Sequence, residues 1–113
     1  MCSYACPLGI DIPGFIRQIR ENEPSKALAR IKEKNMLSAI CGRLCPAPCE
    51  KACVFEPEGA PIGIRALERF ASDQGRERAP AKAVKAKGKK VAIVGAGPAG
   101  LAGMARKGRG FAR

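Results

Sequence analysis

Six cysteines with a regular spacing constrain this chain of 113 residues more than any other feature. They recur at every fourth position in an N-terminal pair and a central run of four: Cys2 and Cys6, then Cys41, Cys45, Cys49 and Cys53. The first residues lack the basic start and apolar centre of a secretory signal, and no run of about 20 apolar residues could span a membrane. We therefore expect a cytoplasmic chain, in which thiols stay reduced and six cysteines indicate a metal centre rather than disulfides.

The spacing also distinguishes between kinds of metal centre. Zinc sites usually show paired C-x2-C or C-x4-C spacings, whereas each gap here contains three residues. Iron–sulfur ligand runs often end in Cys-Pro, and both Cys6-Pro7 and Cys45-Pro46 have that ending. The pattern favours iron–sulfur clusters, with a zinc site or structural thiols as the alternatives. The count of six is awkward, because one cubane takes four ligands and two would take eight.

The charge of the chain is unevenly distributed. A net charge of +11 suggests a polyanionic partner such as nucleic acid. Beyond Arg78, however, the chain has nine Lys or Arg and no acidic residue, so the excess lies mainly in a linker and a tail. One Tyr and four Phe leave little on which bases could stack. We therefore do not expect nucleic acid as a partner, and a basic zinc-binding module that contacts nucleic acid is the alternative. The absence of histidine excludes Ser-His-Asp triads and Cys2His2 zinc sites.

The residues around the cysteines predict a mainly α-helical small domain over residues 1–75. A first helix begins at the cap Asp11 and ends near Asn22. Its apolar stripe consists of Ile12, Phe15, Ile16 and Ile19. A second helix runs from Pro24 to Lys34, and Asn35 is expected to end it in a left-handed conformation.

A third predicted helix, from about Gly63 to Gln74, carries a carboxylate in an unusual place. Its expected inward positions are Ile64, Leu67, Phe70 and Ala71. Glu68 shares an edge with that apolar face, where a carboxylate is costly unless it is paired or bound to a cation. On the residues alone, partial exposure beside Arg65 or Arg69 is the simplest account.

The central cysteine run, residues 41–53, is predicted to be a loop. Prolines at positions 46 and 48 prevent the thiols from sharing one regular helix. The loop would therefore turn its thiols toward a common centre. A single helical turn that begins at Pro48 would carry Cys49 and Cys53 on the same side.

The remainder is predicted to be a basic linker, residues 76–88, and a truncated dinucleotide-binding βα unit, residues 89–113. Val91-Ala92-Ile93-Val94 has the composition of a short buried parallel strand. The turn that follows has the G-x-G-x-x-G pattern, which binds a pyrophosphate at a helix N-terminus. Its candidate cofactor-binding residues are Gly95, Gly97, Pro98, Ala99 and Gly100. The acidic residue expected about 20 positions further on is not reached.

Taken together and in order, these motifs resemble one family over about residues 2–103. The motifs are Cys6-Pro7, Asp11-Ile12-Pro13-Gly14-Phe15-Ile16, Asn35, Cys41-Gly42-Arg43-Leu44-Cys45-Pro46, Cys49-Glu50, Cys53, Pro61-Ile62 and Leu67-Glu68-Arg69-Phe70. They are similar to the N-terminal iron–sulfur domain of the glutamate synthase small (beta) subunit and to the N-terminal region of dihydropyrimidine dehydrogenase. The resemblance implies a helical domain with two [4Fe–4S] clusters, which precedes an FAD-binding Rossmann domain.

The resemblance also implies a division of the ligands. Cys6, Cys45, Cys49 and Glu68 would hold one cluster. Cys2 and Cys53 would hold the other, together with two cysteines from upstream that this sequence does not contain. Cys41 would be a neighbour rather than a ligand, although spacing alone would make it one.

The implied function is electron transfer from NADPH through FAD and the clusters to a partner active site. We expect the chain alone to bind at most one complete [4Fe–4S] cluster and to perform no catalysis, as a fragment of an NAD(P)H-dependent oxidoreductase. Its expected partners are a redox subunit or the remainder of the flavoprotein. A non-functional gene fragment is a further alternative.

Overall fold

The N-terminal part of the fold is a set of short helices joined by tight turns. The computed structural model describes residues 2–75 and 92–107. The first range contains α1 (Cys2–Ala5), α2 (Ile12–Arg20), α3 (Pro24–Lys32), α4 (Ser38–Leu44), α5 (Pro48–Lys51), a 3-10 turn (Glu56–Glu58) and α6 (Ile64–Gln74). The second range contains α7 (Pro98–Lys107). The chain divides into two units, residues 1–77 and 78–113, and the predicted linker 76–88 lies outside the described residues.

Helix α2 begins and ends where local chemistry predicts. The Asp11 carboxylate accepts a hydrogen bond from the Gly14 N–H at 3.1 Å, which satisfies one of the free donors of the first turn. Asn22 closes the helix with a left-handed φ of 58°. Asp11 also pairs with Arg30 of α3 at 2.9 Å, so the cap joins α2 to α3.

Helix α3 ends two residues before the predicted boundary, and the expected role of Asn35 is wrong. Among the described residues, Asn22, Ala47 and three glycines have a left-handed backbone, and Asn35 does not. Its side chain acts instead, because its carbonyl oxygen accepts the Leu37 N–H at 3.0 Å and turns the chain into α4. The buried position of this side chain accounts for the difference.

The core lies where α2, α3 and α6 meet. Its most enclosed side chains come from α2 and α3, with Ala71 from α6: Ile12, Phe15, Ala27, Ile31 and Ala71. The prediction for Phe70 is wrong, since this side chain is 45% exposed. Helix α6 turns its inward stripe through Ile64, Glu68 and Ala71, so Phe70 lies on the other side.

Helix α4 packs closely on α6. Gly42 makes this approach possible, because a Cβ built on it would lie 2.8 Å from the backbone nitrogen of Arg69. At the edge of the contact, Arg43 donates to both oxygens of Asp73, at 3.0 and 2.9 Å. The predicted loop over 41–53 is therefore partly wrong, since residues up to Leu44 continue α4 and only residues 45–47 turn before α5.

The described part of the second unit begins with an irregular segment. Residues 92–96 have no regular secondary structure and are exposed, so the predicted strand is not formed over its described part, and Val91 lies outside the described residues. A strand needs a neighbour to satisfy its backbone groups, and the described residues contain no strand. Helix α7 then forms as expected after the glycine-rich turn. Among the described residues, no helix is long and apolar enough to cross a membrane.

Candidate metal centre

The prolines of the central run shape the backbone between its cysteines. Cys45 follows the last residue of α4 in an extended conformation (φ −61°, ψ 133°), as a residue before proline prefers. Ala47 then adopts a left-handed conformation (φ 51°, ψ 56°), which costs a non-glycine residue roughly 1–2 kcal/mol. Pro48 begins α5, where its missing N–H is not needed. The turn therefore separates Cys45 from Cys49 and lets both reach the same side of the domain.

Helix α1 brings the N-terminal pair to this turn. The Cys6 N–H donates to the Cys2 carbonyl at 3.1 Å, which places the two thiols one helical turn apart. Both side chains are half-buried and pack against the core cluster that contains Cys49. The order of the chain alone could not have shown that α1 lies beside α5.

The electrostatics of Cys49 show which thiols are neighbours. Burial, followed by the negative charge of Cys6 and, less strongly, of Cys45, raises the pKa of its thiol to about 11. Cys49 is 7% exposed. A thiol in this position keeps its proton at neutral pH unless a cation is present to favour the thiolate. Cys6 and Cys45 therefore both lie near enough to Cys49 to act on its thiol.

Backbone donors point at two of the sulfur atoms. The Ala47 N–H donates to Cys45 Sγ at 3.4 Å, and the Ile62 N–H donates to Cys53 Sγ at 3.5 Å. Hydrogen bonds to a ligand sulfur tune the potential of the cluster that it binds. All six cysteines are free thiols.

Arg65 joins the central cysteine run to α6 through two hydrogen bonds. Its backbone N–H donates to a carboxylate oxygen of Glu50 at 2.8 Å, so that Glu50 caps α6 from a different helix. Its guanidinium donates to the carbonyl oxygen of Cys45 at 3.0 Å. The residues that flank Cys45 and Cys49 are therefore held by the N-terminus of α6, the helix that carries Glu68.

Glu68 is buried, so the exposed alternative for it is wrong. Its exposed fraction is 8%. Burial raises the pKa of its carboxyl group, and a hydrogen bond from Asn35 opposes this rise. Asn35 Nδ2 donates to Glu68 Oε1 at 2.7 Å. Neither Arg65 nor Arg69 is seen to pair with the Glu68 carboxylate. The Arg65 guanidinium donates to the Cys45 carbonyl, and Arg69 lies 3.6 Å from the Asp73 carboxylate.

Cys41 has a different environment from the other thiols of the run. It lies within α4, and its Sγ donates to Asn35 Oδ1 at 3.7 Å. This contact is consistent with the role of a neighbour rather than a ligand.

Cys2 and Cys53 share the wall of a cavity of about 640 Å³. Most of its lining is apolar, with Ile12 and Ile64 at the core side, while Arg17 and Arg20 contribute the basic groups. Cys2 and Cys53 therefore both line this one cavity.

The donor chemistry of these residues fits an iron–sulfur cluster. Among residues 2–75 and 92–107, no group of three or more Cys, Asp or Glu is placed to hold a single metal ion. A cluster places an inorganic core between its ligands, so its thiols do not converge on one atom. Three thiols that influence one another, N–H donors at the sulfur atoms and a buried carboxylate suit such a core.

The candidate cofactor turn forms a loop before α7. Gly95 has a φ of 105°, and a Cβ on Gly100 would collide with the Gly95 carbonyl oxygen. The turn therefore requires glycine at both positions. Gly97, Pro98 and Ala99 are exposed at the start of the helix, and the Leu101 N–H donates to the Gly97 carbonyl at 3.0 Å.

Comparison with known proteins identifies the same chemistry. A family model described as dihydropyrimidine dehydrogenase domain II, 4Fe-4S cluster, matches residues 1–80. The chain is 42% identical over 104 residues to the NADPH-Fe(3+) oxidoreductase subunit beta of Geobacter sulfurreducens. It is 38% identical over 106 residues to the glutamate synthase [NADPH] small chain of Escherichia coli. Over 135 residues it is 33% identical to the NADP(+)-dependent formate dehydrogenase subunit beta of Moorella thermoacetica.

These relatives are much longer than the present chain. The alignments cover 89%, 89% and 97% of this chain, but only 16%, 22% and 19% of the respective relatives. The chain therefore spans about a fifth of the length of the proteins it matches.

Proposed function

Because the chain belongs to the family of the dihydropyrimidine dehydrogenase domain II with a 4Fe-4S cluster, we propose that it is the electron-transfer module of an NAD(P)H-dependent, FAD-containing oxidoreductase. The grouping of Cys6, Cys45 and Cys49 around one buried thiol is the observation that carries the proposal. Thiolates in a small helical domain suit one-electron chemistry, whereas no histidine is present for acid–base work.

The first site uses Cys6, Cys45, Cys49 and Glu68 as ligands. A [4Fe–4S] cluster bound there accepts and donates single electrons. The fold buries Cys49 and directs the Ala47 N–H at the sulfur of Cys45. It also buries the Glu68 carboxylate within α6. A carboxylate donates less electron density than a thiolate, so Glu68 would help to set the potential.

The second site uses Cys2 and Cys53 at the shared cavity. These two thiols are half of the set that a cluster requires, so the 113-residue polypeptide is expected to hold one complete cluster. The Ile62 N–H at the sulfur of Cys53 supports a ligand role for this thiol.

The glycine-rich turn would begin the FAD-binding part. Gly97, Pro98 and Ala99 are exposed at the start of α7, and a helix N-terminus is where a pyrophosphate binds. The relatives named above contain a further four fifths of sequence, and we assign nicotinamide binding to that part.

The partner is a redox subunit or the remaining flavoprotein. The relatives are named as a subunit beta and a small chain, which supports association with a larger catalytic subunit. The cytoplasm is the expected compartment, because free thiols persist there.

Anaerobic reconstitution of the full chain tests the proposal. We expect a brown protein with about four irons per chain and an electron paramagnetic resonance (EPR) signal after reduction. Cys45→Ser and Cys49→Ser should lose most of the iron, whereas the matched control Cys41→Ser should retain it. A colourless protein that retains zinc and binds DNA in a salt-sensitive way would support the alternative zinc module instead. Eight irons per chain would contradict the single complete cluster.

A further inference from the structure

Asn35 links Glu68 to the turn between α3 and α4. Its Nδ2 donates to Glu68 Oε1 at 2.7 Å, and its Oδ1 accepts from the Leu37 N–H at 3.0 Å and from Cys41 Sγ at 3.7 Å. The side chains of Asn35 and Glu68 are both buried, and the bond between them spans 33 positions of sequence. This bond joins the turn between α3 and α4 to α6 inside the domain rather than on its surface.

The orientation of the Asn35 amide follows from its partners. A backbone N–H can only donate, so the atom that faces the Leu37 N–H must be the carbonyl oxygen. The NH₂ group then necessarily faces Glu68. A carboxylate can accept this bond without carrying a proton.

We propose that Asn35 is a positioning residue, which holds Glu68 Oε1 so that the second oxygen, Oε2, is the one available to iron. This inference rests on the proposed role of Glu68 as a ligand. Asn35 makes Glu68 a one-oxygen donor in a fixed orientation, as partners behind a metal ligand commonly do. The same amide takes up the Cys41 thiol, and so keeps that cysteine out of the ligand set.

Two substitutions separate the functions of the amide. Asn35→Asp keeps an oxygen for the Leu37 N–H and for Cys41 but removes the donor to Glu68. Asn35→Ala removes both functions without adding a charge, and serves if the aspartate variant does not fold. Asn22→Asp is the matched control, because it makes the same chemical change on an exposed residue whose left-handed backbone aspartate tolerates.

The measurement is the rate at which the reconstituted chain loses iron to a chelator, together with the EPR spectrum of the reduced cluster. We expect Asn35→Asp and Asn35→Ala to lose iron roughly 10- to 100-fold faster than the original chain and to show an altered spectrum. Asn22→Asp should match the original chain in both.

The Glu68→Ala background shows whether Asn35 acts through Glu68. In that background, Asn35→Asp should change neither the rate nor the spectrum further, because the group it positions is gone. Equal effects of Asn35→Asp in both backgrounds would overturn the proposal. So would an Asn35→Asp chain that releases iron at the same rate as the original chain and has the same spectrum. If Glu68→Ala itself leaves both unchanged, the ligand role in the proposed function fails, and the positioning role fails with it.

Discussion

Gly42→Ala should loosen the contact between α4 and α6. The added Cβ would lie 2.8 Å from the nitrogen, 2.9 Å from the Cα and 3.1 Å from the Cβ of Arg69. Two of these atoms belong to the backbone of α6, which cannot rotate away as the end of a flexible side chain can. Helix α4 must therefore withdraw by roughly 0.6 Å before the contact becomes an ordinary one.

Two opposing terms decide the size of the effect. Forcing an extra methyl group into a close contact costs about 1–3 kcal/mol. Alanine in place of glycine in a helix returns about 1 kcal/mol. We therefore expect the free energy of unfolding to fall by about 1 kcal/mol. Because α4 leads into Cys45 and α6 carries Glu68, iron loss from the reconstituted chain should also be faster.

Urea unfolding of the metal-free chain, followed by circular dichroism, measures this loss. The control is Gly103→Ala in α7, where the added Cβ would meet Ile93 at an ordinary 3.5 Å. This control should leave iron retention unchanged and should not destabilise the chain. If Gly42→Ala were as stable as the original chain, the close packing of α4 on α6 and the reasoning from it would be refuted.

Two further predictions concern other contacts with α6. Glu50→Ala should lower the free energy of unfolding by about 0.5–2 kcal/mol, because it removes the acceptor that caps the helix, whereas Glu50→Gln should lose less; equal urea midpoints for all three chains would contradict the capping role. The hydrogen bond from Arg43 is the main cause of the lowered pKa of Asp73. The Arg43–Asp73 pair should therefore stabilise the fold fully above the ordinary carboxyl pKa of 3.8. This stabilisation should fade as pH falls through the lower pKa that Asp73 has in the folded state. The urea midpoints of the original chain and of Asp73→Asn should therefore converge below pH 3.8, and a constant difference down to the acid limit would argue against the pair.

Helix boundaries were the most predictable part of the fold. Asp11 caps α2 and Pro24 begins α3 as expected, because capping and proline chemistry act within one helical turn. The prediction of a left-handed backbone at Asn35 is wrong because it considered local preference alone. Its local preference suggested a left-handed turn, but a buried hydrogen bond to Glu68, on a helix distant in sequence, decided its conformation.

The strand predicted over residues 91–94 also shows that local sequence does not decide a structure that needs a distant partner. Its apolar residues favour a strand, yet the described residues 92–94 form none. A helix satisfies its own backbone groups, whereas a strand depends on a neighbour. Composition can therefore predict α7 more safely than the segment before it.

By itself, the sequence determined the chemistry: six thiols, no histidine and two Cys-Pro pairs favour iron–sulfur clusters, and the matching family is a 4Fe-4S one. The tertiary structure alone decided which thiols are neighbours, because Cys6 reaches Cys49 only when α1 packs beside α5. It also decided that Glu68 is buried and that Cys41 bonds to Asn35. The physical reason is range: caps and prolines act over a few residues, whereas burial depends on contacts between helices far apart in the chain.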